Sequence, residues 1–228
     1  MADESKSKKS KKLLIAAVLL IVIVAAVSVG VYYYLPNQTA PKPDAVTNFS
    51  DGAWANYNLT IYNATGTIAS NGTMMVYTYA GTYNGTNCWV YVENVTYTSS
   101  SGATIVDVVT DYIDKTTYAT LHSTQQTTSD GTVMYDKALS PGDAGFMDVI
   151  ATVRNMTVTA TDKSVTVLAG TFSTTERQGT LTYPSDPNTV YDLTSWASTQ
   201  VPTWGIVKYQ FHVGGVLSSE YLLVSYGS

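Results

Sequence analysis

Two hydrophobic patterns divide the chain. Residues 13–35, LLIAAVLLIVIVAAVSVGVYYYL, carry no charge. At about 1.5 Å per residue a helix of that length reaches roughly 34 Å, enough to cross a bilayer core of about 30 Å. Beyond it, Pro36 to Asn48 holds three prolines and no apolar period, as an extended stalk does. The period then falls to two. In Trp54 to Tyr62, residues Tyr57, Leu59 and Ile61 share one face and Asn56, Asn58 and Thr60 the other. Asn71-Gly72 and Asn84-Gly85 are read as hairpin turns, since both central residues of a type I′ turn need positive φ; they bound strands at Thr73 to Tyr83 and Thr86 to Thr98.

Further strands are predicted at Ala103 to Ile113, Tyr118 to Thr127, Val133 to Leu139, Met156 to Ala160, Val165 to Ser173, Gly179 to Tyr183, Gly205 to Val213 and Val216 to Tyr226. Turns at Ser99 to Gly102, Asp114 to Thr117, Ser129 to Gly131 and Gly214-Gly215 separate several of them, and Pro184 to Pro187 is a loop. Ala144 to Val153 has near-helical spacing, and Val190 to Thr199 fits a strand or a short helix. The predicted fold is mainly β: an N-terminal transmembrane helix, then a curved antiparallel sheet with at most one or two short helices. About ten strands of roughly ten residues are too many to stay flat, so the sheet should close into a half-barrel or barrel. No internal repeat is visible.

Charge adds an orientation. Five lysines against Asp3 and Glu4 precede the apolar run. Basic residues on one flank favour a cytoplasmic N-terminus, with Lys11 and Lys12 at the inner interface and Tyr32, Tyr33 and Tyr34 in an outer aromatic belt. The expected organisation is a cytoplasmic basic tail at 1–12, a span at 13–35 held in the lipid bilayer, a stalk at 36–49 and an extracellular β domain at 50–228. A cleaved signal and a pilin-type leader are the alternatives. The apolar run outlasts a typical signal core, and Ala17 stands where bacterial pilins carry a glutamate. The charge left after the span is acidic, which excludes a basic surface for nucleic acid. Charged residues are only 13% of the chain, so its polar surface is mostly Ser, Thr, Asn and Tyr, which suits either acidic surroundings or simply a Thr-rich β protein.

Eight of the eleven asparagines after the span open an Asn-x-Ser/Thr triplet: Asn37, Asn48, Asn58, Asn63, Asn71, Asn84, Asn94 and Asn155. Ser and Thr make up 51 of those 193 residues, so chance alone would supply about three. The excess points to N-glycosylation on an exposed surface. Cys88 is the lone cysteine, which rules out an internal disulfide; its strand context suits a buried small hydrophobe, the alternative being an intermolecular bridge.

Candidate chemistry is sparse. His122 and His212 have no neighbouring Cys or His at metal-ligand spacing. Asp107 and Asp111 share a strand face with Asp114 at its end; paired carboxylates could serve glycoside hydrolysis or calcium, and the simpler reading is a solvated strand face closed by an Asp-Lys turn. No nucleophile elbow, phosphate loop or dinucleotide fingerprint occurs, and no cofactor is expected. Trp54, Trp89, Trp196 and Trp204 are candidate ligand or partner contacts.

Several motifs fall in a characteristic order: Gly52-Ala53-Trp54 with Tyr57, Cys88-Trp89, Asp111 to Thr117 (DYIDKTT), Ala169-Gly170-Thr171-Phe172, Trp204 to Tyr209 (WGIVKY), and Glu220 to Tyr226 (EYLLVSY). In that order residues 50–226 resemble extracytoplasmic half-barrel proteins of the lipoprotein-carrier superfamily, the LolA- and LppX-like fold, including archaeal-type membrane-anchored surface proteins. The resemblance implies a curved antiparallel sheet whose concave apolar face holds acyl chains or a helix. This chain differs in carrying a span in place of a lipidated cysteine. The expected activity is therefore non-catalytic: a membrane-anchored binding or assembly module for a hydrophobic ligand, a glycan or a partner subunit of a membrane or surface layer. The alternatives are a filament, adhesin or surface-layer subunit and, last, a hydrolase using Asp107 and Asp111. An open apolar cavity would favour ligand binding, and an interior plugged by large side chains a scaffold.

Overall fold

The structure, a computed structural model, describes residues 49–141, 156–183, 186–203 and 205–228. The expected span, the stalk up to Asn48, the helix at Ala144 to Val153, and Trp204 lie outside them. The described residues form eleven strands and no helix: β1 (Trp54–Tyr62), β2 (Ile68–Tyr83), β3 (Thr86–Thr98), β4 (Thr104–Asp114), β5 (Thr120–Ser129), β6 (Thr132–Leu139), β7 (Thr157–Val167), β8 (Gly170–Tyr183), β9 (Asp186–Ala197), β10 (Ile206–Val213) and β11 (Val216–Gly227). All pair antiparallel in one sheet of order β6-β5-β4-β3-β2-β1-β11-β10-β9-β8-β7. Two meanders, β1 to β6 and β7 to β11, thus meet where β1 pairs β11, and the edges are β6 and β7.

Two-residue turns set much of the register. Asn84 and Gly85 (φ 47° and 80°), Asp130 and Gly131 (48° and 78°), and Gly214 and Gly215 (57° and 78°) each place two successive residues in the left-handed region. Such turns match the right-handed twist of the strands they join. Asn71-Gly72 corrects the expectation made for it. It lies inside β2, opposite Thr60 and Leu59, and the chain reverses instead at residues 63–67. There Asn63 Oδ1 accepts from the Thr65 and Thr67 amides, both at 3.0 Å, an Asx turn that makes the reversal without a glycine pair. Gly72 is needed for closeness: a Cβ on it would stand 2.3 Å from the Thr96 carbonyl oxygen and 2.7 Å from Tyr97 Cβ. A second correction concerns Val165 to Ser173, expected as one strand. The hairpin between β7 and β8 turns within it, so Ala169-Gly170-Thr171-Phe172 forms a turn and the start of β8. Val190 to Thr199, which the pattern left between strand and helix, falls largely in β9.

Alternation assigns the two faces. Tyr57, Leu59 and Ile61 of β1 point inward with Met74 and Val76 of β2, Tyr91, Val95 and Tyr97 of β3, Phe211 of β10, and Tyr221 and Leu223 of β11, all buried in one core. No second layer appears among the described residues. The tip of the β7–β8 hairpin reaches β11. Ala169 N donates to Leu223 O at 3.4 Å, and the Phe172 ring lies 5.9 Å from that of Tyr226. Tyr57 ties the strands together deep inside, its hydroxyl donating to Ile206 O at 2.9 Å. Tyr57→Phe keeps the ring and orphans a buried carbonyl; urea unfolding should report a loss of about 1 kcal/mol with an unchanged m-value.

The outer face is mixed, and on it lies one buried apolar patch. Cys88, Val90 and Val92 of β3 are buried there beneath Tyr77, Tyr83, Val108, Tyr112 and Leu121. Cys88 is accordingly a free, buried thiol.

Candidate functional site

The feature of the inner face that apolar packing does not explain is a group of buried polar side chains on β3, β4 and β5. Glu93 stands opposite Val109, which stands opposite Gln125; Asp107 and Asp111 flank Val109 at two residues on either side. Antiparallel register therefore sets one carboxylate on each diagonal of Glu93, at roughly 7–8 Å between Cα atoms. Glu93, Asp107 and Asp111 are only 2–3% exposed. This corrects the solvated strand face expected for Asp107 and Asp111. Their side of β4 is the inward side, shared with Ile105, Val109 and Ile113, and it is buried. Asp114, the end of the same strand, does make the expected turn: its Oδ1 accepts the amides of Thr116 and Thr117, both at 2.7 Å.

Asp107 is held by its neighbours on β5. Gln125 Nε2 donates to both its oxygens, at 3.1 and 3.2 Å, and Thr127 Oγ1 donates to Oδ1 at 2.7 Å. Tyr91 donates its hydroxyl to Glu93 Oε2 at 3.1 Å, while Glu93 Oε1 meets no hydrogen-bond partner. Burial pushes the Glu93 carboxyl up to about 8, and the charge of Asp107 adds to it; the bond from Tyr91 works the other way and loses. Glu93 is thus a carboxylic acid that keeps its proton at neutral pH. Tyr221 belongs to the same interior. Burial, then the nearby charge of Glu93, raises its phenol well above the ordinary range, and its hydroxyl also lacks a partner.

Among the described residues no three His, Cys, Asp or Glu side chains come together as a metal would require. What the inner group provides is hydrogen bonding inside an apolar shell. Glu93 escaped sequence reasoning because it sits between Val92 and a candidate glycosylation site, Asn94; its phase with Tyr91, Val95 and Tyr97 was the available signal.

The other candidate residues are dispersed. Trp89 flanks the inner core, with Lys115 Nζ 4.0 Å from the centre of its ring, and Phe49 packs against it at 6.4 Å. Trp196 lies on the outer face, donating from Nε1 to Glu176 Oε2 at 2.8 Å, between the pairs Lys163–Glu176 (3.0 Å) and Lys208–Glu220 (2.9 Å). Trp54 shares the outer face, packed against Gly227. His122 stacks on Tyr83 at 4.8 Å, and its Nδ1 lies 3.2 Å from Ser140 Oγ.

No family model, curated protein or solved structure matches the chain. Of the glycosylation candidates, Asn58, Asn71 and Asn94 lie on the outer face by register, and Asn63 and Asn84 lie in exposed turns. Asn37, Asn48 and Asn155 fall outside the described residues, as do Lys11, Lys12 and Tyr32 to Tyr34.

Proposed function

We propose that this chain is a single-pass, membrane-anchored protein whose glycosylated extracellular β domain acts without catalysis, as an assembly module for partner subunits. The observation that carries the reading is the set of large side chains buried on the inner face. Tyr57, Tyr91, Phe211 and Tyr221 are each at most 1% exposed and occupy the face on which a carrier would hold a ligand. We read the inturned meander as the half-barrel of the lipoprotein-carrier resemblance, plugged by its own side chains. A plugged shell suits a scaffold better than a lipid shuttle.

Two features support the address. The uncharged run at residues 13–35 has the length of a bilayer helix. All five described Asn-x-Ser/Thr asparagines avoid the inner face, as acceptors for a bulky glycan must. Copurification from detergent-solubilised membranes tests the function: protein partners without stoichiometric lipid are expected, and bound lipid in a one-to-one ratio without partners would refute it. Protease added to intact cells should remove the β domain. Peptide mass spectrometry should then find glycan on Asn58, Asn63, Asn71, Asn84 or Asn94.

A further inference from the structure

The described sheet ends in two edge strands, and they differ. β7 lies against β10 and β11, and the sequence sets the Asn155 triplet at its start. β6 is open. Its residues Thr132 to Ala138 are all exposed, and three consecutive large hydrophobics stand among them: Val133 at 54%, Met134 at 63% and Tyr135 at 39%. A bulge sets Val133 opposite Thr128 and Tyr135 opposite Thr127, two neighbours that point to opposite faces, so this edge is greasy on both sides. An edge of that kind is a template for another strand, and soluble proteins usually blunt it.

We infer that β6 is an assembly edge at which a second copy of this chain adds its own β6, antiparallel, across a twofold axis at Tyr135. An extended edge is matched by another extended edge, and consecutive apolar residues need the same in the partner. Among the described strands β6 itself offers both. A twofold perpendicular to the sheet preserves its faces, so the axis must pass through a residue paired with its own copy. Centring on Asp136 or Lys137 would set like charges directly opposite, which is unfavourable. Centring on Tyr135 sets ring beside ring and keeps Asp136 and Lys137 from facing their own copies. Met134, which the bulge leaves without a counterpart on β5, remains available to the partner. The described glycosylation candidates lie on β1 to β3 and their turns, three strands or more from this edge, and leave it unshielded. The contact is isologous and closes as a dimer instead of running on as a fibre.

This inference deepens the assembly reading by naming one partner. Sedimentation of the full chain in detergent should show a monomer–dimer equilibrium, weakened at least about tenfold by Val133→Lys with Met134→Lys. Val158→Lys on β7 should leave the equilibrium unchanged. Both lysine variants replace exposed residues, so an unchanged thermal midpoint confirms folding. In a Cys88→Ala background, Tyr135→Cys should form a disulfide-linked dimer under mild oxidation. A wild-type chain that stays monomeric at every concentration overturns the inference, as does a dimer that Val158→Lys breaks and the β6 lysines spare. A monomer that still copurifies with other subunits overturns only the self-association and leaves the assembly reading standing.

Discussion

Raising the pH from about 5 to about 8.5 should destabilise the folded domain, on the order of 4 kcal/mol, through the single carboxyl of Glu93. Its proton is held up to about 8 in the folded state, against an ordinary 4.5. A carboxyl with a raised folded-state pKa contributes its full stability below the unfolded value and loses it as the pH rises through the folded one. Asp114 and Glu176 act in the opposite sense. Backbone amide bonds led by Thr117 hold Asp114 below the usual carboxylate range, and the Lys163 ammonium holds Glu176 there. Their stabilisation is lost as the pH falls below that range. The optimum should therefore lie near pH 5, at the acidic end of the usual range of about 5 to 8. Urea midpoints across pH 4 to 9 check it, and Glu93→Gln should flatten the fall between pH 5 and 8. A wild-type midpoint that climbs over that interval would show that Glu93 is ionised inside the fold. An acidic optimum accords with a surface that depends little on ionised groups.

Gly72→Ala should destabilise by about 3 kcal/mol or more, far beyond the ordinary cost of a methyl group in a strand. The added Cβ would stand 2.3 Å from Thr96 O, 2.7 Å from Tyr97 Cβ and 3.1 Å from Tyr97 Cα, all on β3. Backbone cannot rotate aside as a flexible side chain does, so β3 would have to move away from β2 where Tyr97 enters the core. Gly85→Ala is the internal comparison. Gly85 has φ of 80° in the β2–β3 turn with nothing within 4 Å of its would-be Cβ, so its cost is left-handed strain alone, about 1–2 kcal/mol. Urea unfolding of the two variants separates the mechanisms: if Gly72→Ala costs no more than Gly85→Ala, the close approach of β2 and β3 at Gly72 is not rigid.

Those two glycines show how much was legible beforehand. Each follows an asparagine between alternating runs, and on local chemistry both are hairpin turns. At Asn84-Gly85 the expectation holds, and β3 starts and stops at the residues the alternation indicated. At Asn71-Gly72 it fails, because Asn63 with Thr65 and Thr67 had already made the reversal eight residues earlier. An Asx turn leaves a weaker mark on the sequence than an Asn-Gly pair, and a glycine required by a neighbouring strand looks the same as one required by positive φ. The carboxylates divide in the same way. That Asp107 and Asp111 share a face was plain from their spacing, yet whether that face meets water was not, since alternation gives sides without saying which is in.

Strand periodicity and the lengths of the apolar and polar runs were decided by the order of residues alone, because each depends on neighbours within a few positions. The pairing of β1 with β11, the burial of Glu93 near Asp107, and the exposure of β6 came only from contacts between residues far apart in the chain. Burial is a property of what arrives on the other side, and no stretch of sequence carries that by itself.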